Sequence, residues 1–261
     1  MTGGNAVGER GSTTPESVSA DWGIDPIAIA WPGRTAGLSA GVFAGQNAQR
    51  LEVASPSDPT THILAVSTCG HHATYAVDGR EVHEGMFEAG AVQLVQAGQA
   101  PAAMLTGDWR VIHIYFPAAD LWQLGEDLGL SAIDALGLTF TLPHFAREPV
   151  LARIGRRLEQ RLRRGDVPSR LELDDLSLSV GCHLIRTHAT TKPPRRPRSR
   201  SLSGQECQRL FSLLGDAQDP GLDQLARELD RTGTEARLAF HNTFYATPHE
   251  IRGILRRGRR P

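Results

Sequence analysis

The chain has 261 residues, of which 40% are hydrophobic and 22% charged, and its formal net charge is -1 at pH 7. This composition is ordinary for globular proteins and excludes a disordered or collagen-like chain. Because no apolar run reaches the ~18 residues of a membrane span, no membrane partner is expected.

The cysteines and the N-terminal residues indicate the cellular compartment of the protein. Cys69, Cys182 and Cys207 are odd in number and lack a CxxC spacing. This pattern predicts small buried residues in a reducing, cytoplasmic compartment, and it argues against a disulfide framework or a zinc finger. Residues 1–20 lack the apolar core of a signal peptide and are predicted to form a flexible tail.

The net charge conceals an asymmetry along the chain. From Arg186 onward there are 15 Lys and Arg against 8 Asp and Glu, a formal charge of +7, which leaves -8 in the preceding part. A basic C-terminal part favours a nucleic-acid partner, because lysines and arginines that neutralise phosphates release counterions. A solvated basic tail is the alternative.

Short alternating runs separated by glycine turns dominate residues 21–117, within a first predicted domain of residues 21–130. The turns Asp78-Gly79 and Gly107-Asp108 suit tight hairpins, because their residues tolerate positive φ. Such strands predict a β-sandwich or small barrel. The predicted strands are HILAVST (62–68), ATYAV (73–77), AVQLV (91–95), AAMLT (102–106) and VIHIYF (111–116).

The period changes to that of helices after Pro117. One helix is predicted from Pro117 to about Gly129, a second from Pro149 to about Arg164, and a third from about Leu171. Residues 131–189 form the predicted helical connector. Its apolar stripe is longer than a barrel requires, which predicts a homodimer through Leu173, Leu176, Val180 and Leu184.

A basic linker and a small helical domain follow. Residues 190–203 contain Pro193, Pro194 and Pro197, which are incompatible with a continuous helix. Residues 204–261 then contain three short helix candidates and a basic end.

The C-terminal pattern resembles the first helix-turn-helix of AraC/XylS transcription regulators. Thr232 occupies the cap of its second helix, and the matching core and proline positions are Leu222, Leu225, Ala226, Phe240 and Pro248. The front part resembles the cupin-like sensor of this family, through the VDGR hairpin (77–80), Gly90 and the Ala97-Gly98 pair. The resemblance implies an α+β protein: an N-terminal cupin-like β-barrel or sandwich, a helical connector and a small all-α helix-turn-helix domain.

The resemblance implies a cytoplasmic DNA-binding regulator that responds to a small-molecule or protein effector. Thr232, Thr234 and Arg237 fall at DNA-binding positions, Thr234 and Arg237 facing base edges, whereas His241 and Asn242 fall where phosphate contacts are made. The arginines at 252, 256, 257, 259 and 260 are expected to bind phosphate only.

Three positions depart from the family pattern. Asp230 and Tyr245 stand where the family has glycine, and Leu238 stands where it has the arginine of the recognition helix. The family's second helix-turn-helix has no counterpart before Pro261, so weakened DNA binding is expected. The alternative function is a relative that binds a ligand or a protein, not DNA, such as an antagonist of an intact regulator.

Catalytic chemistry is not expected. A metal-binding cupin needs histidines two residues apart on one strand face, whereas His71 and His72 are adjacent and should face opposite ways. Pro101 stands where a later histidine ligand would fall, and a cupin-type enzyme is therefore the weaker alternative. His62, His83 and His113 are predicted to be strand or surface histidines. The sequence thus predicts no metal, no cofactor and no catalytic residue.

A nucleophile-elbow pattern, GxSxG, occurs at 37–41. It lacks a buried strand before it, and the residues after Ser39 alternate like a strand. A hydrolase is therefore disfavoured.

Overall fold

The computed structural model describes residues 13–30, 37–193, 201–215 and 220–258. In this part of the chain the strands are β1 (Ala28–Ala30), β2 (Ser39–Ala54), β3 (Thr61–Ser67), β4 (His71–Val77), β5 (Arg80–Phe87), β6 (Ala91–Val95), β7 (Pro101–Pro117) and β8 (Ala146–Arg147). The helices are α1 (Pro15–Trp22), α2 (Ala118–Asp127), α3 (Ala132–Leu136), α4 (Pro149–Arg163), α5 (Arg170–His183), α6 (Gly204–Gly215), α7 (Leu222–Glu228), α8 (Gly233–Phe244) and α9 (Pro248–Gly258). A π-helical turn, Leu184–His188, continues α5.

Strand β7 organises the sheet. Along one edge it pairs antiparallel with β2 over nearly its whole length. Along the other edge its first part pairs with β4 and its second part with β3. Strand β5 then joins β4, β6 joins β3, and β8 joins β6. The two ends of β7 therefore belong to different faces of a sandwich, as strands that switch sheets through a bend do.

The hairpin predicted at Gly107-Asp108 is wrong, because both residues lie inside β7. Gly107 has a φ of +79°. The pairing register with β2 shifts beside it, between Asn47 and Leu51. The glycine therefore lies at a bend in a continuous strand, opposite a bulge in β2.

The hairpin predicted at Asp78-Gly79 is present between β4 and β5. Asp78 and Gly79 have φ of 52° and 74°, and Val77 pairs with Arg80 across the turn. Two successive positive φ values are those of the type I′ turn that matches the strand twist.

The predicted N-terminal tail overlaps a helix. Residues 15–20 lie in α1, which begins at a capping box between Thr14 and Ser17. Val18 is 1% exposed and packs against the sandwich. This packing and the capping box stabilise the helix. The prediction of a flexible tail was based on the glycine and serine content of residues 1–20, and composition does not report either contact.

The stripe predicted to form a dimer is buried within the chain. Leu173, Val180 and Leu184 lie in the apolar cluster between the sheet and helices α2 and α4, and Leu176 packs against it. Helix α5 presents a second side to the C-terminal helices, where Leu171 is fully buried. These four residues are therefore already packed within the chain, and the homodimer stays a prediction.

Helices α6 to α9 pack into one cluster around Leu225, Ala236 and Phe240. Among the described residues, no helix has both the length and the apolar character needed to cross a membrane. Cys69, Cys182 and Cys207 are free thiols and are partly buried, less so than predicted.

Candidate functional site

A largely apolar cavity of about 80 Å³ lies inside the sandwich. Since a water molecule occupies ~10–15 Å³ by the same measure, the cavity can hold a small organic molecule. Its wall is built by alternate residues of β3 and β6, because side chains of a strand point to one face at every second position. These residues are Ile63, Ala65, Ser67, Ala91, Gln93 and Val95.

Aromatic side chains bound the cavity from outside the central strands. Trp22 of α1 lies 5.2 Å from the ring of His113 and 6.4 Å from that of Trp109. Phe145, in the loop before β8, stacks on Phe87 at 3.6 Å between ring centroids. Two segments outside the core strands therefore contribute to the wall of the cavity.

Phe145 has an unusual backbone conformation. Its φ is +51°, in the left-handed region that bulky residues rarely adopt. The Gln93 side chain holds this loop, because its Oε1 accepts hydrogen bonds from the Phe145 amide at 3.3 Å and from His144 Nδ1 at 3.0 Å. Backbone strain of this kind persists only where surrounding contacts enforce it, and it is common at ligand sites.

The polar groups of the cavity are few and mostly uncharged. Burial lowers the pKa of His113 to about 4, and it also lowers that of His71 below its ordinary value. Burial raises the pKa of the Tyr75 hydroxyl. All three side chains are therefore neutral near pH 7, so the cavity suits a neutral ligand with one or two polar atoms.

The other histidines considered in the sequence, and Ser39 of the GxSxG pattern, lie within strands. His71 is buried and His72 exposed, so the two adjacent side chains face opposite ways as predicted. His62 is buried in β3 and accepts a hydrogen bond from the Ala97 amide at 3.1 Å. His83 lies in β5. Ser39 is buried at the start of β2 and pairs with Tyr115, which is not the geometry of a strand-to-helix elbow.

The residues predicted to contact DNA are divided between a surface and an interface. Thr232 caps α8 through a capping box with Glu235, as its position in the sequence predicts. His241 and Asn242 are exposed on α8. Thr234 is 2% exposed and donates a hydrogen bond to Asp127 of α2 at 3.2 Å.

Arg237 is held by helix α5. Its Nε donates to Asp175 Oδ1 at 2.6 Å, and a terminal nitrogen donates to Ser179 Oγ at 2.7 Å. In this conformation neither Arg237 nor Thr234 reaches outward to base edges. Contact of these two residues with DNA therefore stays a prediction, because sequence spacing gives the helix but not the surface on which it docks.

The arginines near the C-terminus differ from one another. Arg252 is 3% exposed, so it is not the surface phosphate contact that was predicted, whereas Arg256 is exposed. The side chains of residues 257, 259 and 260 lie outside the described residues, as do residues 194–200 of the predicted linker.

A further contact docks α7 on α5. The N-cap of α7 is Gly221, which has no side chain to accept from the first amides of the helix. Asp174 of α5 accepts from the Leu222 amide instead, at 2.8 Å. The start of the predicted helix-turn-helix is thus completed by a residue of the connector.

No protein-family model matches the sequence. No curated protein matches it either.

Solved structures of similar fold include the cupin domain of Cnp3 from Schizosaccharomyces pombe, at 13% identity over 34% of this chain and 62% of that one, with a TM-score of 0.29. A putative ethanolamine utilization protein of Salmonella typhimurium is similar at 13% identity over 31% of this chain and 59% of that one, with a TM-score of 0.25. A Klebsiella pneumoniae protein with a double-stranded β-helix domain is similar at 20% identity over 35% of this chain and 76% of that one, with a TM-score of 0.29. The chain spans less than two thirds of the first two proteins.

The antiparallel sandwich and the flanking helices of the expected α+β fold are confirmed. The assignment of the C-terminal helices to the AraC/XylS type stays a prediction. Sequence analysis missed the wall residues Trp22, Trp109 and Phe145, which are far apart along the chain. The alternation of 63, 65 and 67 and that of 91, 93 and 95, in two predicted strands, could have indicated part of the cavity.

Proposed function

We propose that the sandwich is a sensor for a small, neutral, largely apolar molecule, within a DNA-binding transcription regulator of AraC/XylS type. The observation that carries the proposal is the cavity, whose walls are apolar and whose polar groups are uncharged near neutral pH. Few polar groups in an apolar pocket are typical of ligand sites, where they orient the molecule.

The C-terminal helices supply the proposed output. The capped α8, the preceding α7 and the excess of arginines support a DNA-binding role. Because Arg237 and Thr234 are bound to α5 and α2, the described arrangement is a docked state that would need to open before α8 enters a major groove. Ligand binding that favours the open state would make the chain ligand-responsive.

The ligand step is tested with phenol, benzaldehyde and benzene as probes. Trp22 and Trp109 both line the cavity, so binding should change the intrinsic tryptophan fluorescence. Ala65→Leu fills part of the cavity and should abolish the change. Ala76→Leu, on β4 outside the cavity wall, is the matched control and should behave like the wild type. Equal binding by both variants would remove the cavity from the proposal.

The DNA step is tested by capture of sheared genomic DNA at moderate salt with a competing polyanion. Asp175→Ala removes the partner of Arg237 and should increase sequence-selective capture, whereas Asp175→Ala combined with Arg237→Ala should not. Glu126→Gln, an exposed charge change on α2, is the control. If Asp175→Ala captures no more DNA than the wild type, and random fragments bind equally well, the regulator proposal fails.

A second candidate is a protein-binding relative that does not bind DNA. Tyr245 is 85% exposed and Ile254 is 55% exposed, and large apolar side chains of this kind favour a protein partner. It would replace the regulator if the DNA experiment failed.

A further inference from the structure

A second cluster of polar side chains lies outside the sandwich, at the end of α5. Glu148, His183 and His188 each offer one oxygen or nitrogen atom, and these three atoms lie within 4.8 Å of one another. Glu148 directly follows β8, His183 directly precedes the π-helical turn, and His188 is the last residue of that turn.

The π-helical turn aligns the two histidines. The Ala189 amide donates to the Leu184 carbonyl at 3.0 Å, five residues back. In an α-helix, residues five apart are rotated by about 140° around the axis, so their side chains diverge. The wider turn places the rings of His183 and His188 at 5.6 Å between centroids. π-Helical turns are rare and often mark functional sites.

Glu148 is fixed in place by its own hydrogen bonds. One carboxylate oxygen accepts from the Leu151 amide at 2.6 Å and so caps α4. The other lies 3.0 Å from His183 Nε2. The residue is only 9% exposed, so this oxygen is directed at the histidines and away from solvent.

His188 has an unsatisfied donor or acceptor. Its Nε2 atom is buried and makes no hydrogen bond to any residue that the structure describes. Buried polar atoms without a partner are uncommon, and a bound ion is one of the explanations for them. Two imidazole nitrogens and one carboxylate oxygen are the protein ligands of many zinc sites with an open fourth position.

We propose that Glu148, His183 and His188 bind one divalent transition-metal ion, with zinc the best match. Tetrahedral zinc at bonds of ~2.0–2.1 Å holds its ligand atoms about 3.4 Å apart, so small side-chain rotations close the site. The absence of a thiolate in this ligand set favours zinc, cobalt or nickel over copper(I).

The site joins two parts of the molecule. Glu148 is adjacent to β8, which pairs with β6 of the sandwich wall. His188 precedes the segment that leads into the C-terminal helices. A bound ion would therefore tie the edge of the sandwich to the end of the connector. No metal was expected from the sequence, because the strand positions lack the histidines for one, and the proposal departs from that expectation at a cluster outside the strands.

The experiment uses the full chain, freed of metal by a chelator and then titrated with Zn²⁺ by calorimetry. The wild type should bind one equivalent, and Zn²⁺ should raise its melting temperature. His188→Ala and Glu148→Gln should each weaken binding at least tenfold and lose the melting shift. Glu148→Gln keeps an oxygen that can cap α4, so the loss would not reflect unfolding.

Two controls separate this site from others. His72→Ala removes an exposed histidine and His71→Ala a cavity histidine, and both should bind Zn²⁺ like the wild type. Titration with Co²⁺ should give the absorption of a nitrogen and oxygen site without a thiolate charge-transfer band, which excludes the three cysteines. The proposal is overturned if the wild type binds no equivalent, if His188→Ala and Glu148→Gln bind normally, or if His71→Ala alone loses the metal.

Discussion

Buried histidines are the single residues with the clearest consequence for stability. Burial lowers the pKa of both His62 and His113 to about 4, whereas a histidine in the unfolded chain titrates near 6.5. Below pH 6.5 the unfolded state binds more protons than the folded state, so stability is lost as the pH falls from about 6.5 to about 4.

We predict that between pH 7 and pH 5 each of these histidines contributes a loss of about 2 kcal/mol in the free energy of unfolding. His113→Gln keeps a partner for the Tyr115 hydroxyl but does not titrate, so it should reduce the total loss by about 2 kcal/mol. Denaturant unfolding at the two pH values measures this. His72→Gln, at an exposed position, should leave the pH dependence as it is. An unchanged slope in His113→Gln would contradict the prediction.

Helix α4 approaches the sheet closely because it has a glycine at the contact. A Cβ atom at Gly155 would lie 2.7 Å from Val66 Cγ2, closer than side-chain atoms can approach. Val66 is fully buried in β3, so neither partner can move freely.

We predict that Gly155→Ala lowers the free energy of unfolding by about 1–3 kcal/mol through overpacking. Combining it with Val66→Ala should cost less than the sum of the two changes. Gly204→Ala, where the space is open, should change stability by less than about 0.5 kcal/mol. Additive costs for the double variant would show that the contact is not responsible.

The cap that Asp174 provides to α7 is a second contact between helices. We predict that Asp174→Ala lowers the free energy of unfolding by about 1 kcal/mol, because the Leu222 amide then loses its acceptor. Asp174→Asn keeps an oxygen and should recover most of the loss. If both variants are equally destabilised, the charge and not the cap is what stabilises the contact.

Elements defined by local pattern were predictable, and those defined by distant partners were not. Strand β6 runs from Ala91 to Val95 as predicted, and α4 begins at Pro149 as predicted, since alternation, helical period and a proline at the helix start are local signals. Gly107 lies inside a continuous strand and not in a hairpin turn, because its segment pairs with β2, whose Asn47 is 60 residues away in the sequence. Of the candidate site, the cap Thr232 was predictable from its own neighbours, whereas the docking of Arg237 on Asp175 depended on tertiary packing.

At the scale of the whole molecule, the docked C-terminal helices separate two kinds of arginine. Arg237 is engaged within the chain and Arg256 is exposed on α9. If α8 reads sequence once released, Arg237→Ala should cost about 1–3 kcal/mol on a preferred site and relax one base-pair preference. Arg256→Ala should weaken all sequences alike and reduce the salt dependence. Binding curves for preferred and random duplexes at several salt concentrations distinguish the two, and equal behaviour of both variants would rule out sequence reading by α8.

Helix α5 also determines how the molecule comes apart. Leu171 is buried in the apolar cluster of the C-terminal helices. Val180 is buried in the apolar cluster between the sheet and helices α2 and α4. Leu178 packs against both clusters. Neither cluster can melt without uncovering apolar surface of the same helix, so their unfolding should be energetically coupled. We expect one calorimetric transition for the full chain, and a chain shortened after residue 193 should expose Leu171 and Leu178 and self-associate.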